Sequence, residues 1–510
     1  MLTRSCRRGG RGWVISEIVN HPDASRILSL MPFAKTPHRP MRTPSRTRPG
    51  MHALSRALAA VLAAAGCLGP AYSQSGGLPV IRDAEIEQVL RDYTAPVLKA
   101  AGLAQQNVSV VIVNQRSFNA FVMDGRRIFV NVGALLDSKT PNQIIGVLAH
   151  EAGHIAGGHL ARLRQELAKA QTSAILATLL SIGAVAAGAA TGGSSGRDLG
   201  QLGMAGMSAG PEVIKRSLLS YQRSQEEAAD RAAVRFLDAT GQSAKGMSET
   251  FRRIADQTMF LSQGADPYLQ SHPMPRERVE ALTELARTSS HWEAKDPAAL
   301  QHRHDMMKAK LVGFLERGDG IARRYPLSDT SLPARYARAI SAYRFGDLRN
   351  AVTLIDGLIQ TEPNNPYFHE IKGQALLENA RPLEAVAPLR RAVALAPNAI
   401  LIRIMLGQAL VATDDPKLTD EAVSLLRNAL ARDPDQPQGH QQLAVAFARK
   451  GNYADADLSS AQAAFASGQI KTARELAGRA RTRFPTGSPG WVKADDIYSY
   501  KPPASAMRRN

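Results

Sequence analysis

The chain has 510 residues, 44% of them hydrophobic and 21% charged, which suits roughly three globular domains with sizeable cores. Its formal charge of +18 does not amount to a nucleic-acid footprint. Residues 1–73 hold 11 Lys/Arg against 2 Asp/Glu, and the remaining +9 is spread over 437 residues without a dense basic block. No nucleic-acid partner is expected.

The basic beginning leads into MHALSRALAAVLAAAGCLGPAYSQ. Arg56 precedes an apolar run from Ala57 to Leu68, and Ala71 and Ser73 are small residues at the −3 and −1 positions of a cleavage site. Residues 1–73 are read as an N-terminal extension and signal peptide, with an apolar run too short to span a membrane. A start at Met41 or Met51 gives the charged region an ordinary length. Cys67 follows Ala-Ala-Gly, a poor lipidation signal. Cleavage after Ser73 removes Cys6 and Cys67, so the mature chain is expected to have neither a disulfide nor a thiolate ligand.

From 78 to 286 the pattern mixes helix and strand. DAEIEQVLRDYTAPVLKAAG has helical periodicity, VSVVIVN (108–114) reads as a buried strand, and RRIFVNVG (126–133) as an alternating one. In KTPNQIIGVLAHEAGHIAGGH, Thr140 can cap a helix with Pro141 at its first position and Gln143 completing a capping box. Residues 171–211 form an apolar Gly/Ala-rich tract. It is expected to be a hydrophobic cover or membrane-touching hairpin, with a span at 173–190 as the alternative.

Residues 287–330 read as a helical connector, on which His302 and His304 are expected at the surface. Beyond it the landmarks repeat. Pro363 and Pro397 lie 34 residues apart, as do Ala351 and Ala385, and Gly373 and Gly407. A third closing turn at 433–435 comes 37 residues after the second, with TDDPK near 415 accounting for the excess. A period of 34 with small residues at the helix crossings and Pro after the second helix resembles the tetratricopeptide repeat. Residues 331–500 are therefore expected to stack into an α-solenoid with a concave surface.

The chemistry concentrates in VLAHEAGHIAGGH, residues 147–159. A helix advances about 100° per residue, so His150 and His154 share a face and can converge on one metal ion. Glu151 sits beside them, able to reach a water at the metal without ligating. His159, nine positions after His150, would point to the opposite side of a continuous helix and is expected to be a structural or surface residue. A catalytic zinc site needs a third protein ligand. SYQRSQEEAADRAAVRFL supplies candidates, since Glu226 and Asp230 share a face of a second helix. Glu226 can ligate while Asp230 accepts a hydrogen bond from the far nitrogen of a ligating histidine. Glu227 points about 100° away.

With these motifs assembled, the chain resembles the HtpX-like gluzincin metallopeptidases, most closely those of the periplasmic BepA type, over about residues 78–500. The resemblance is carried by NAFVMDGRRIFVNVGAL, VLAHEAGH, RSQEEAAD, SHPMPRERV and the repeat tail. Gln222 before Arg223 departs from the Ser-Arg that relatives often carry. The resemblance implies a predominantly helical α+β fold, a gluzincin metallopeptidase domain at 78–286, and one Zn²⁺ per subunit held by His150, His154 and Glu226. Glu151 becomes the general base, and Asp230 an outer partner of the ligands or a proton donor. His272, biased to extended backbone by Pro273, becomes either an oxyanion stabiliser or an occupant of the fourth ligand position. Arg276 and Arg278 are candidates for orienting substrate, and the strand RRIFVNVG is expected to pair with an extended substrate backbone. The resemblance further implies a periplasmic endopeptidase acting on unfolded or stalled outer-membrane proteins, docking on the β-barrel assembly machinery through its repeats, with possible peripheral membrane contact. A chaperone or scaffold with a mostly closed zinc site, and an integral-membrane peptidase, are the alternatives.

Overall fold

The computed structural model describes residues 78–172, 216, 218–258 and 272–502. The signal-peptide reading, both cysteines and the apolar tract from residue 173 lie outside the described residues. Residues Pro79–Pro502 fall within one compact unit.

Four short strands form one sheet: β1 (Val80–Ile81), β2 (Ser109–Val113), β3 (Ala120–Val122) and β4 (Arg127–Asn131). The order is β1-β2-β4-β3, with β2 parallel to β4 and the other two pairs antiparallel. Both edges of β4 are therefore used, and the RRIFVNVG strand has no edge to offer a substrate. The edge on that side of the sheet is β3, whose antiparallel partner is β4. Strand pairing is non-local, so alternation along the sequence identified a strand without locating it in the sheet.

Helix α1 (Ala84–Ala100) starts where Asp83 accepts the amide of Ile86 at 2.9 Å, and it packs on the sheet. After α2 (Val132–Asp137) comes α3 (Pro141–Ala156), buried along most of its length within the peptidase core. Thr140 and Pro141 occupy its N-cap and first position, but the expected capping box does not form. The Thr140 side chain makes no capping bond, and the Gln143 carboxamide oxygen accepts the Lys139 amide at 2.8 Å instead. The next described helices are α4 (159–172), α5 (218–239), α6 (Lys245–Thr258) and α7 (Arg276–Arg287). Gly153 on α3 allows α5 to approach closely, because a Cβ there would stand 2.9 Å from the carbonyl oxygen of Ala229. That contact places Glu226 and Asp230 beside the motif histidines.

Helices α8 (Ala298–Leu315) and α9 (Gly318–Arg324) follow. Met307, Leu311 and Val312 of α8 belong to the peptidase core, and Met306, Ala309 and Phe314 to the first repeat core, so the connector is shared between the two. His304 is fully buried rather than at the surface, with its Nδ1 2.9 Å from the Tyr93 hydroxyl and its Nε2 3.2 Å from the Ser138 hydroxyl. Burial lowers its pKa to about 4. His302 remains part-exposed, 3.7 Å from Glu362.

The repeats run as helix pairs from α10 (Leu332–Phe345) and α11 (Leu348–Thr361) to α18 (Ile470–Arg483) and α19 (Pro489–Ser499). Between them lie α12 (Pro366–Glu378), α13 (Pro382–Leu395), α14 (Ile400–Ala412), α15 (Pro416–Arg432), α16 (Pro437–Arg449) and α17 (Tyr453–Ala466). The TDDPK excess lengthens α15 to 17 residues against 14 in α13. Ala351 and Ala385, 34 apart in sequence, are both fully buried. The repeats meet the peptidase half around Lys310, whose Nζ lies 2.9 Å from Asp83, 3.2 Å from Glu370 and 3.4 Å from Glu85.

Candidate metal centre

Helix α3 brings His150 and His154 one turn apart, with Nε2 atoms 3.0 Å from each other. From α5, Glu226 sets Oε2 3.4 Å from His150 Nε2 and Oε1 3.4 Å from His154 Nε2. His272, just before α7, places Nδ1 3.0 Å from Glu226 Oε2 and 3.4 Å from His150 Nε2. Four potential ligand atoms, one from each of these residues, thus lie within 4.8 Å of one another. Bonds of about 2.05 Å in a tetrahedron separate ligand atoms by roughly 3.3 Å, so the spacing suits a zinc-sized ion. Imidazole nitrogens with one carboxylate form a donor set that zinc accepts readily.

The surrounding side chains hold these donors in place. His150 Nδ1 lies 2.9 Å from Asp230 Oδ1, on the side away from the cluster. Arg278, in the first turn of α7, donates to both Asp230 oxygens at 2.7 and 2.8 Å and approaches Glu226 Oε2 at 3.0 Å. It also donates to the Pro273 carbonyl at 2.8 Å, tying the His272 segment to α5. Phe251 of α6 meets the His150 ring edge-on, with centroids 5.4 Å apart. The structure places Arg278 inside this network, buried; Arg276 is exposed at the start of α7. Glu227 is exposed and sits 3.7 Å from Arg231.

Glu151 is fully buried, and neither of its carboxylate oxygens has a hydrogen-bond partner. His272 Nε2 stands 3.5 Å away from it. Burial raises the Glu151 pKa, with His272 and His150 opposing. Burial disfavours a proton on His150, but Asp230 and Glu226 outweigh it and raise the group to about 9. Burial, helped by the charge of His150, holds His154 well below the usual imidazole range. Against the same burial, His272 and His150 pull Glu226 far below the carboxylate range, and Arg278 and His150 keep Asp230 low.

A cleft of about 390 Å³ adjoins these residues, bordered by Glu151, His154, Glu226, His272 and Tyr221 and by Phe121 and Val122 of edge strand β3. His159 also borders it and is buried, its Nδ1 3.0 Å from His154 Nδ1. Projection along one continuous helix put His159 on the far side. The helix ends at Ala156 instead, and after the Gly-Gly turn His159 lies against His154. Two glycines after a helical run are a stop signal, and they were the clue available in the sequence.

Two histidines one helical turn apart, a carboxylate from a second helix and a buried glutamate without a hydrogen bond make up a candidate metal centre. Residues 81–286 match Peptidase family M48, and residues 336–400 and 404–456 match the tetratricopeptide repeat. The chain is a metallopeptidase that joins an M48 domain to tetratricopeptide repeats. It is 24% identical to the Beta-barrel assembly-enhancing protease of Yersinia pestis over 418 residues, 80% of this chain and 82% of that one. It is 26% identical to the Putative beta-barrel assembly-enhancing protease of Vibrio cholerae over 75% of this chain and 76% of that protein. Metalloprotease LoiP of Escherichia coli is 28% identical over 178 residues, 35% of this chain and 62% of its own length.

Proposed function

We propose that the chain is a zinc-dependent endopeptidase of the periplasm that acts on unfolded or stalled outer-membrane proteins. The observation carrying this reading is the convergence of His150, His154 and Glu226 beside a buried Glu151 whose oxygens make no hydrogen bond. His150, His154 and Glu226 would hold the ion, which when bound supplies Lewis-acid polarisation of the scissile carbonyl and acidifies water in its vicinity. Glu151 accepts the proton of the attacking water and returns it to the leaving amine nitrogen. Its raised pKa suits that exchange, since a base nearer neutrality is also a competent acid. Asp230 takes a positioning role: Arg278 engages both of its oxygens, and His150 stands against one of them. The edge of β3 beside the cleft is where an extended substrate backbone would add as a further strand.

The outer-membrane substrate class, and docking on the β-barrel assembly machinery through the repeats, are supported by the names of the relatives that align with both halves of the chain. The test is cleavage of an unfolded outer-membrane barrel protein by the purified chain. Wild type cuts, chelation stops it, zinc restores it, and Glu151→Gln is inactive. A Glu151→Gln variant cutting at the wild-type rate sinks the mechanism.

His272 favours a second, regulated reading of the same centre. Its Nδ1 lies within the donor set, where a fourth ligand would close the position that substrate and water need. His272→Ala is expected to raise turnover on a short unfolded substrate while weakening zinc binding; no change in either removes His272 from the scheme. In that closed form the repeat surface would act as a binding scaffold, and rescue of a deletion strain by Glu151→Gln would reveal it. The integral-membrane alternative rests on residues 173–190, outside the described residues. Among the described residues no helix is long and apolar enough to cross a membrane. A carbonate wash that leaves the chain in the membrane fraction would favour that alternative over peripheral contact.

A further inference from the structure

The two motif histidines each have an outward-facing nitrogen, and the two nitrogens meet different partners. Both Nε2 atoms turn towards the donor cluster, 3.0 Å from one another. A neutral imidazole that offers its Nε2 lone pair to a metal carries its proton on Nδ1, and that N–H needs an acceptor to fix the ring and its tautomer. For His150 the group facing Nδ1 is the Asp230 carboxylate, with 2.9 Å between Nδ1 and Oδ1. For His154 the group at Nδ1 is His159, whose own Nδ1 is 3.0 Å away. The two rings meet edge-on, with centroids 5.0 Å apart and planes at 86°, so a ring nitrogen of one faces the edge of the other.

The local sequence provides for this arrangement. Gly158 adopts a φ of +63°, a conformation that favours glycine and breaks the helix after α3. Gly157 leaves the space that the His159 ring fills, because a Cβ there would stand 2.2 Å from His159 Nε2 and 2.5 Å from Cδ2. A ring needed only as filler would not have to set a nitrogen at hydrogen-bond distance from the one His154 nitrogen facing away from the cluster.

We propose that His159 is a positioning residue of the metal centre: its Nδ1 accepts the Nδ1–H of His154, locking His154 in the tautomer that presents Nε2 to the ion. The centre then has two unlike supports, a carboxylate behind His150 and an imidazole behind His154. The inference rests on the reading of His154 as a ligand, and the test separates the two.

Zinc affinity of the full chain is measured by competition with a chelating dye, and the thermal midpoint of the metal-free chain is measured alongside. His159→Asn sets an amide oxygen close to the place of Nδ1 and keeps an acceptor; His159→Leu keeps comparable volume without one. The expected result is a 10–100-fold loss of affinity for the Leu variant, the size typical of a lost outer partner. The Asn variant stays within about threefold of wild type, on the grounds that the acceptor persists, and the metal-free midpoints of the two variants are alike. Gly157→Ala, which keeps the imidazole but crowds it from its seat, is expected to weaken zinc in the same direction as His159→Leu, and it carries the test if the Leu variant does not fold. Equal losses for Asn and Leu, or none for Leu and for Gly157→Ala, overturn the proposal. His154→Ala guards the premise. If it binds zinc as tightly as wild type, the ligand reading fails; if it loses zinc while His159→Leu does not, only the role of His159 fails.

Discussion

Two clusters of charge lie buried in this chain, and they are built in opposite ways. Where the repeats meet the peptidase half, one ammonium faces three carboxylates: Lys310 Nζ is within 3.4 Å of Asp83, Glu85 and Glu370, and the Tyr336 hydroxyl donates to Glu85 at 2.9 Å. Each of these groups points at another member of the cluster. At the metal centre, His150, His154, Glu226 and His272 turn their donors towards one place, and Glu151 keeps two oxygens without hydrogen bonds. A buried network with every member satisfied holds a structure together, whereas a buried carboxylate without a hydrogen bond is a burden that folding alone does not explain. The first cluster ties the repeats to the peptidase half; the second has the layout that the proposed chemistry requires.

The comparison is broken most severely at Lys310. Lys310→Met leaves three buried carboxylates without their cation and is expected to lower unfolding stability by about 3–5 kcal/mol, read as a shift in the denaturant midpoint. Arg278→Met removes the partner of Asp230 and a neighbour of Glu226, and about 3 kcal/mol is expected on the same measurement. Because Arg278 also holds the Pro273 carbonyl, that variant should weaken zinc binding as well, which Lys310→Met should not.

A smaller effect concerns pH. Burial raises Glu370 to about 7, so the folded chain keeps a proton there that the unfolded chain has already released. The stability this contributes is complete below about pH 4.5 and is lost as pH rises through 7, at most roughly 3 kcal/mol. Glu370→Gln should remove that decline between pH 5 and 8 in chemical-denaturation series. His304 works the other way. Its pKa of about 4 means that its contribution is present above the usual histidine range and is lost as pH falls through 4. The smallest stability effect belongs to Glu151→Gln, which removes a buried charge with no hydrogen-bond partner and should leave the midpoint unchanged or slightly raised. A clear loss of stability there would mean that Glu151 is structural.

What the sequence disclosed follows from which contacts are local. Helical spacing showed that His150 and His154 share a face, and the period of 34 showed the repeats, because both are written in consecutive residues. The Glu226 helix could be recognised alone, but its meeting with α3 depends on Gly153 and Ala229 coming together across a gap of more than seventy residues. His159 was misjudged because one helix was extended through Gly157 and Gly158. His304 was misjudged because a histidine in a polar run gives no sign that Tyr93 and Ser138 will enclose it. The place of β4 in the middle of the sheet, and the Lys310 cluster that gathers residues 83, 85, 310 and 370, were not legible at all. Apart from His159, whose partner His154 is five residues away, the partners are distant in sequence and selected by packing.

The account stands on α3 and α5 closing around one divalent ion, and a zinc titration of the full chain followed by native mass spectrometry tests this most directly. One zinc per wild-type chain is predicted, with Glu226→Ala binding at least about 10-fold more weakly, as loss of one of three ligands requires. A Glu226→Ala chain that takes up zinc with wild-type affinity, or a wild-type chain that takes up none, would contradict it.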